Sequence, residues 1–244
     1  MHKLSLLVIA FLFFGLAKVS AQQGFEVNIS GSPAASFLLN SEDLDDDGKD
    51  YKGTFGYLAG GTVGYNFTDH FGLSVGAFYV VSGQKFEASN SSALFQEQHR
   101  KLEYLRIPVL FKFSGDPYST FTPFVRFGPH VDFLQDATLK TKDLTGNTTT
   151  VDMNNYDVLG RKYDTYTKDP VFGATLELGG FFNITDFVKL SLAFHVSSSF
   201  TNIETEDARF VLTSSGGLLS PSRANTFNTL VGGTVGLSFV IGGY

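Results

Sequence analysis

No cysteine and no tryptophan occur among the 244 residues, and only 17% of the side chains are charged. The missing cysteines exclude disulfide frameworks, thiolate zinc and iron–sulfur sites, covalent c-type haem and thiol catalysis together. The charged fraction falls below the roughly one quarter usual in soluble domains, so something other than water solvates part of the surface. Basic residues number 18 against 24 acidic ones, a net charge of −6. That balance argues against a nucleic-acid binder, whose affinity rests on neutralising phosphates. Beyond the N-terminus, transmembrane-helix runs are absent as well. The longest apolar windows, such as residues 230–244, are broken by glycine pairs and rich in Val, Phe and Thr, which favour a pleated strand.

The N-terminus reads differently. Residues 1–3 form a short basic segment, residues 4–17 an almost unbroken apolar run, and Val19, Ser20 and Ala21 place compact residues where a signal peptidase cuts. We read residues 1–21 as a cleaved export signal and residues 22–244 as a single domain. The apolar run, about 14 residues, is too short to cross a hydrocarbon core of about 30 Å as a helix. Losing Lys3 and Lys18 leaves 16 basic against 24 acidic residues, a net of −8. Two classes remain for an exported chain of this kind: a secreted soluble β-protein and an outer-membrane β-barrel.

What is abundant decides between them: 26 Phe, 10 Tyr and 26 Gly, arranged with period two. Phe55, Tyr57, Ala59, Gly61, Val63 and Tyr65 alternate with Thr54, Gly56, Leu58, Gly60, Thr62 and Gly64. Phe121, Val125, Phe127, Val131 and Phe133 alternate with Thr122, Phe124, Arg126, His130, Asp132 and Leu134, and residues 227–241 repeat the split. One face is large and apolar. The other is Gly, Ser and Thr with isolated charges, whereas a solvated sheet face usually carries many Lys and Glu. This is the pattern of a strand with lipid outside and a narrow lumen inside.

Eight such segments are expected, at about 23–30, 53–66, 71–82, 100–113, 120–135, 169–182, 187–200 and 226–241. The connectors between them alternate. Residues 31–52, 83–99, 136–168 and 201–225 are long and polar; residues 67–70, 114–119 and 183–186 are short turns. Long loops at one end and short turns at the other are the asymmetry of an eight-stranded antiparallel transmembrane barrel with four long extracellular loops, exported to the bacterial outer membrane.

The run Tyr104-Leu105-Arg106-Ile107-Pro108-Val109-Leu110-Phe111-Lys112, followed by Thr122-Pro123-Phe124-Val125-Arg126-Phe127-Gly128-Pro129, resembles the YLxIPxLxK and PxxxxGP signature of the PorT-like small outer-membrane barrels of Bacteroidetes. The Ala-Gln junction after the export signal and the aromatic C-terminal Tyr244 are similar to that group too. The resemblance spans nearly the whole mature chain, with motif-level agreement over two adjacent strands. It implies an outer-membrane barrel of eight strands, and a family with diverse roles and no shared enzymatic activity.

Candidate chemistry lies at the inward positions. By alternation Glu26, Arg106, Lys112, Arg126, His130, Asp132, Glu177, Lys189 and His195 face the lumen. Eight strands leave room only for their own side chains, so these three acids, four bases and two histidines are expected to form a structural ion-pair plug. Asp43, Asp45 and Asp47, followed by Gly48, open like a calcium loop, but its twelfth position is Thr54 where a bidentate Glu is needed. A solvated acidic loop is the reading there, with neither metal nor cofactor expected. His195-Val196-Ser197 is similar to the His-x-Ser pair of lipid A deacylase barrels. Its third member has no evident source, since Glu204 and Glu206 lie in a loop, so no catalytic residue is assigned. The expected function is that of a non-enzymatic, secretion-related envelope component, with outer-membrane lipid around it and envelope proteins met through extracellular loops or the periplasmic rim. A lipid-modifying hydrolase and a narrow pore are the alternatives.

Overall fold

The computed structural model describes residues 24–44, 49–88, 95–117, 119–153, 156–158, 161–163, 167, 169–185, 187–204 and 224–241, with backbone only for 42, 43, 49, 156–158 and 161–163. The export signal, the C-terminal Tyr244, Asp45, Asp47, Glu206 and the side chain of Asp43 lie outside the described residues. Twelve strands occur among them: β1 (Gly24–Leu39), β2 (Lys49–Lys52), β3 (Thr54–Asn66), β4 (Phe71–Ala88), β5 (Glu97–Ser114), β6 (Phe121–Lys142), β7 (Thr148–Asp152), β8 (Tyr156–Val158), β9 (Arg161–Tyr163), β10 (Val171–Asn183), β11 (Val188–Ser199) and β12 (Phe227–Ile241). One helical turn, Ser41–Leu44, follows β1.

Eight of these strands close a ring. β1, β3, β4, β5, β6, β10, β11 and β12 each pair antiparallel with the next, and β12 returns to β1 from Phe25↔Ile241 to Leu39↔Phe227. Closure gives every wall strand a hydrogen-bonding neighbour on both sides, as hydrocarbon requires. Short turns at 67–70, 115–120 and 184–187 share one end with the start of β1 and the end of β12. Two of these turns use the same device. The Thr68 hydroxyl accepts the N–H groups of His70 and Phe71 at 3.2 and 3.0 Å, and the Thr185 hydroxyl accepts that of Val188 at 3.0 Å.

The expected inside–outside parity is observed over the wall. Phe55, Ile29 and Val63 are 72%, 63% and 52% exposed, while their neighbours Leu58, Asn28 and Thr62 are buried. Outer aromatic rings chain around the short-turn end through Phe25–Tyr65, Tyr65–Phe67, Phe67–Phe71, Phe71–Phe113 and Phe113–Phe127, at 5.2 to 6.0 Å between centroids. Phe55, Tyr57 and Tyr79 form a second group toward the other end. Such girdles mark the two interfaces of an apolar band.

The strands run beyond their expected limits at the long-loop end. β1 continues to Leu39, β4 to Ala88 and β6 to Lys142, so much of the expected loops 31–52, 83–99 and 136–168 is strand. Polar side chains hid these extensions, because above the lipid the outer face meets water and the two faces no longer differ in polarity. A second departure is a bulge. Glu103 pairs with Asp136 but Tyr104 with Leu134, which leaves Gln135 as an extra residue in β6. Beyond it the parity reverses: Ala137 is buried and Leu139 packs against the core, while Lys140 and Lys142 are exposed.

Candidate functional site

Every inward position singled out from the sequence faces the lumen. Glu26, Arg106, Lys112, Arg126, His130, Asp132, Glu177 and His195 are buried, and Lys189 is half-buried. Arg106, only 1% exposed, grips Asp132 with two parallel hydrogen bonds, Nε to Oδ1 at 2.7 Å and Nη2 to Oδ2 at 2.8 Å. This bidentate geometry is what makes a buried guanidinium tolerable. Its Nη1 donates to the Ser197 hydroxyl at 2.7 Å, and that hydroxyl lies 3.2 Å from His195 Nε2. His195 Nδ1 is 3.2 Å from Glu177 Oε1, and Glu177 Oε2 lies 2.8 Å from Arg126 Nε in an ion pair whose N–H is not directed at the oxygen.

A branch runs from Asp132 to His130, 3.7 Å away, and from His130 Nδ1 to the Thr175 hydroxyl at 2.9 Å. Gly173 makes room for it, because a Cβ there would come within 2.3 Å of His130 Nε2. Lys112 pairs with Glu26, which also accepts Asn66 Nδ2 at 3.2 Å. Phe124 lies against Phe181 at 4.4 Å, with the Arg126 guanidinium 4.7 Å over the Phe124 ring. Three acids thus pair with three bases. Lys189 stands 5.9 Å over the Phe181 ring with no carboxylate in contact among the described residues.

Beside His195, the acid left unplaced by the sequence is Glu177 on the neighbouring strand β10, while Glu204 pairs with Arg100 instead. Only the β10–β11 register, Glu177↔His195, shows it. The chemistry of a nucleophile is nevertheless opposed. Ser197 is 1% exposed and accepts from Arg106, so one of its two lone pairs is engaged by a fixed cation and solvent cannot reach it. The cavity lined in part by Arg106, Arg126, Glu177 and His195, which Ser197 does not line, offers about 20 Å³ in which a water molecule's centre fits. That is room for a water or two, not for an acyl chain or a sugar.

Toward the long loops the lumen turns apolar. Leu38, Leu102, Tyr104, Val171 and Leu230 are buried there, joined by Met153 and Ile203 from outside the ring strands. Leu134, expected among the interior residues, is only partly buried at this cluster's margin, beside the bulge. Arg100 Nη1 donates to Glu204 Oε1 at 2.9 Å across this cap, and Glu204 is itself bridged to Thr167. No group of three or more residues suited to a metal occurs among the described residues. No described helix is long and apolar enough to cross a membrane, which bears on helices alone.

Closed ring, apolar exterior, aromatic girdles and filled lumen together define an outer-membrane β-barrel. The chain belongs to the outer membrane protein beta-barrel domain family, whose model matches residues 20–204; it resides in the outer membrane. Among solved structures it is similar to Neisserial surface protein A (12% identity, 89% of this chain and 97% of that chain, TM-score 0.45). It is also similar to OprG from Pseudomonas aeruginosa (14%, 91% and 98%, TM-score 0.45) and to the attachment invasion locus protein Ail of Yersinia pestis, solved with the heparin analogue sucrose octasulfate (12%, 88% and 99%, TM-score 0.37). No curated protein matches the chain.

Proposed function

We propose that this barrel is a non-enzymatic scaffold that anchors a recognition surface at the outer face of the membrane and binds other envelope or surface proteins there. The observation that carries the reading is the contrast between its two parts. The lumen is spent on ion pairs and an apolar cap, whereas above the rim β4, β5 and β6 continue as an ordered sheet flanked by β2 and β7. Rigid scaffolds that present such projections are where recognition usually resides. The PorT-like signature at 104–112 and 122–129 supports a more specific place, a component of a secretion-related assembly in a Bacteroidetes envelope, reached by way of the export signal at 1–21.

Replacing residues 136–168 by a tight hairpin tests the reading. Membrane insertion should persist while cross-linked partners are lost from intact cells. Stable ion-selective conductance from the purified monomer would instead favour a narrow pore, and serine-directed labelling of Ser197 would favour an enzyme.

A further inference from the structure

The sheet above the rim has two outer strands, β2 and β7, and they are finished differently. β2 carries Lys49 and Lys52, and contacts cover it: the Tyr51 hydroxyl donates to Leu38 O at 2.5 Å, and Gln84 Nε2 donates to Lys52 O. Such devices blunt an edge. β7 reads Thr-Thr-Thr-Val-Asp, with Thr148, Thr149 and Thr150 all exposed and neither Lys, Pro nor bulge within it.

The phase of the β6–β7 ladder shows which groups this edge offers. Asp143 N donates to Asn147 O at 2.9 Å and Met153 N to Ala137 O at 2.8 Å. Hydrogen-bonded pairs alternate along an antiparallel ladder, so residues 149 and 151 face β6, while Thr148 and Thr150 turn N–H and C=O away from it. No described main-chain group pairs with that outer side of Thr148 or Thr150. The donor–acceptor sets repeat every second residue, about 6.8 Å along the strand, the repeat of an extended polypeptide. The hairpin is also held firmly. Gly146 takes a positive φ of 93°, and Asp143 Oδ1 accepts from Thr145 N, Thr145 Oγ1 and Asn147 N at 2.7 to 2.9 Å.

We propose that β7 accepts an extended, acidic strand from a separate protein outside the cell, bound through the outward main-chain groups of Thr148 and Thr150. The inference rests on the partner-binding reading above and names the surface that does it. Charge selects the partner. Lys142 and Lys140 pair with Thr148 and Thr150 and share their face, both exposed and without a carboxylate in contact among the described residues. Asp152 shares that face at the other end of β7 and Glu97 lies opposite Lys142 on β5, so the basic pair is local to Thr148 and Thr150. A strand added beside β7 runs roughly 10 Å from β6, two strand spacings, within reach of long lysine side chains, so Glu or Asp at alternate positions would complement the lysines. A second copy of this chain fits poorly. Two barrels in one membrane share a two-fold axis along its normal. β7 follows the tilt of β6, about 35–45° in such barrels, so the two edges would cross instead of running side by side.

The test uses the full-length barrel in detergent and a blocked peptide, acetyl-Thr-Glu-Val-Glu-Thr-Glu-Val-amide, as probe. Saturating peptide should slow amide exchange at Thr148 and Thr150 by about tenfold or more. The same peptide N-methylated at alternate residues should not, and a version with Lys for Glu should bind more weakly. Thr150→Pro removes an N–H that the hairpin does not use, so it should abolish protection at Thr148 while leaving the Thr149 and Val151 amides slow. Unchanged exchange with the Glu peptide, or equal protection by the N-methylated one, would overturn the inference. So would surface partners that still cross-link to the T150P barrel on intact cells, which would keep the partner-binding reading; loss of all partners from the unmodified barrel would end that reading instead. Since the chain has no cysteine, Thr150→Cys gives a single thiol. A disulfide dimer formed through it in membranes would put a second copy on the edge and overturn the choice of partner.

Discussion

Arg106 and Asp132 show what an inward charge costs and why it stays. Both are almost wholly buried and satisfy one another by two hydrogen bonds. Removing one partner strands the other in a low-dielectric lumen, a loss of about 3–5 kcal/mol for buried pairs. Arg106→Ala should therefore lower the urea midpoint of the reconstituted barrel sharply, and Arg106→Met combined with Asp132→Leu should recover much of the loss. Equal stability of the single and double variants would show that the pair is not coupled. The outer wall sets a different rule. Val125 faces lipid, whereas Thr122 is buried beside the turn at 115–120, its hydroxyl donating to Asp116 O at 3.0 Å. A charge at the membrane midplane on the lipid face costs roughly 2–4 kcal/mol and much less near an interface. Val125, paired with Phe113 of the short-turn girdle, lies near the interface, so the midplane test is Val109, outward-facing and midway between Leu105 and Phe113. Val109→Arg should thus impair assembly in liposomes more than Thr122→Arg, whose side chain can reach water past the turn. Both assignments were readable from alternation. The pairing was not, because Arg106 and Asp132 meet across two strands and 26 positions.

Among the elements, the bulge at Gln135 sets how β6 leaves the membrane. It turns Ala137 and Leu139 onto the apolar cap and Lys140 outward. Deleting Gln135 would exchange those faces, since a one-residue slip moves every later side chain to the other side. We expect β7 to lose its exchange protection and residues 136–153 to become open to protease, with the wall below Leu134 still folded; an unaffected hairpin would assign the parity change to something other than the bulge. The turn after β6 has its own dependence on pH. Hydrogen bonding, first from the Thr145 side chain and then from the Asn147 and Thr145 main chain, lowers the Asp143 carboxyl below its ordinary value of 3.8. A lowered folded value means that the turn gains stability from the charged form above the ordinary value. That gain is lost as pH falls from there through the folded value. Amide shifts of Thr145 and Asn147 should accordingly be flat from neutral pH down to about 4.5 and move together below it; movement near neutral pH would place the titrating group elsewhere. Neither the bulge nor the outward phase of Thr148 and Thr150 in β7 was legible beforehand, because a polar strand above the membrane alternates Thr and Lys without a greasy face to reveal it.

For the whole molecule, closure is the governing fact. Eight strands pair in a ring with β12 returning to β1, so no wall strand presents an open edge to lipid. Breaking such a ring exposes a full ladder of main-chain groups at once, which makes opening cooperative and slow in mild detergent. The purified protein should migrate faster in unboiled than in boiled gel samples and fractionate with the outer membrane; recovery as a soluble periplasmic protein would defeat the barrel. The strand count, the alternation of short and long connectors and the filled lumen were all expected at this scale. The loop content was overestimated, because the wall strands rise well past the lipid before they turn.

The sequence by itself determined the solvent of this protein. A hydrocarbon exterior demands apolar residues at alternate positions across each span, and that demand is local, written within single strands such as Phe55, Tyr57 and Val63. It also determined which residues point inward, for the same reason. Only the tertiary structure decided what those inward groups do to one another. Glu177 meets His195, and Arg126 meets Glu177, through the registers of β10 with β11 and with β6. Register around a closed ring is set by all eight strands together, so it settles which ions pair and which main-chain groups of β7 turn away from β6.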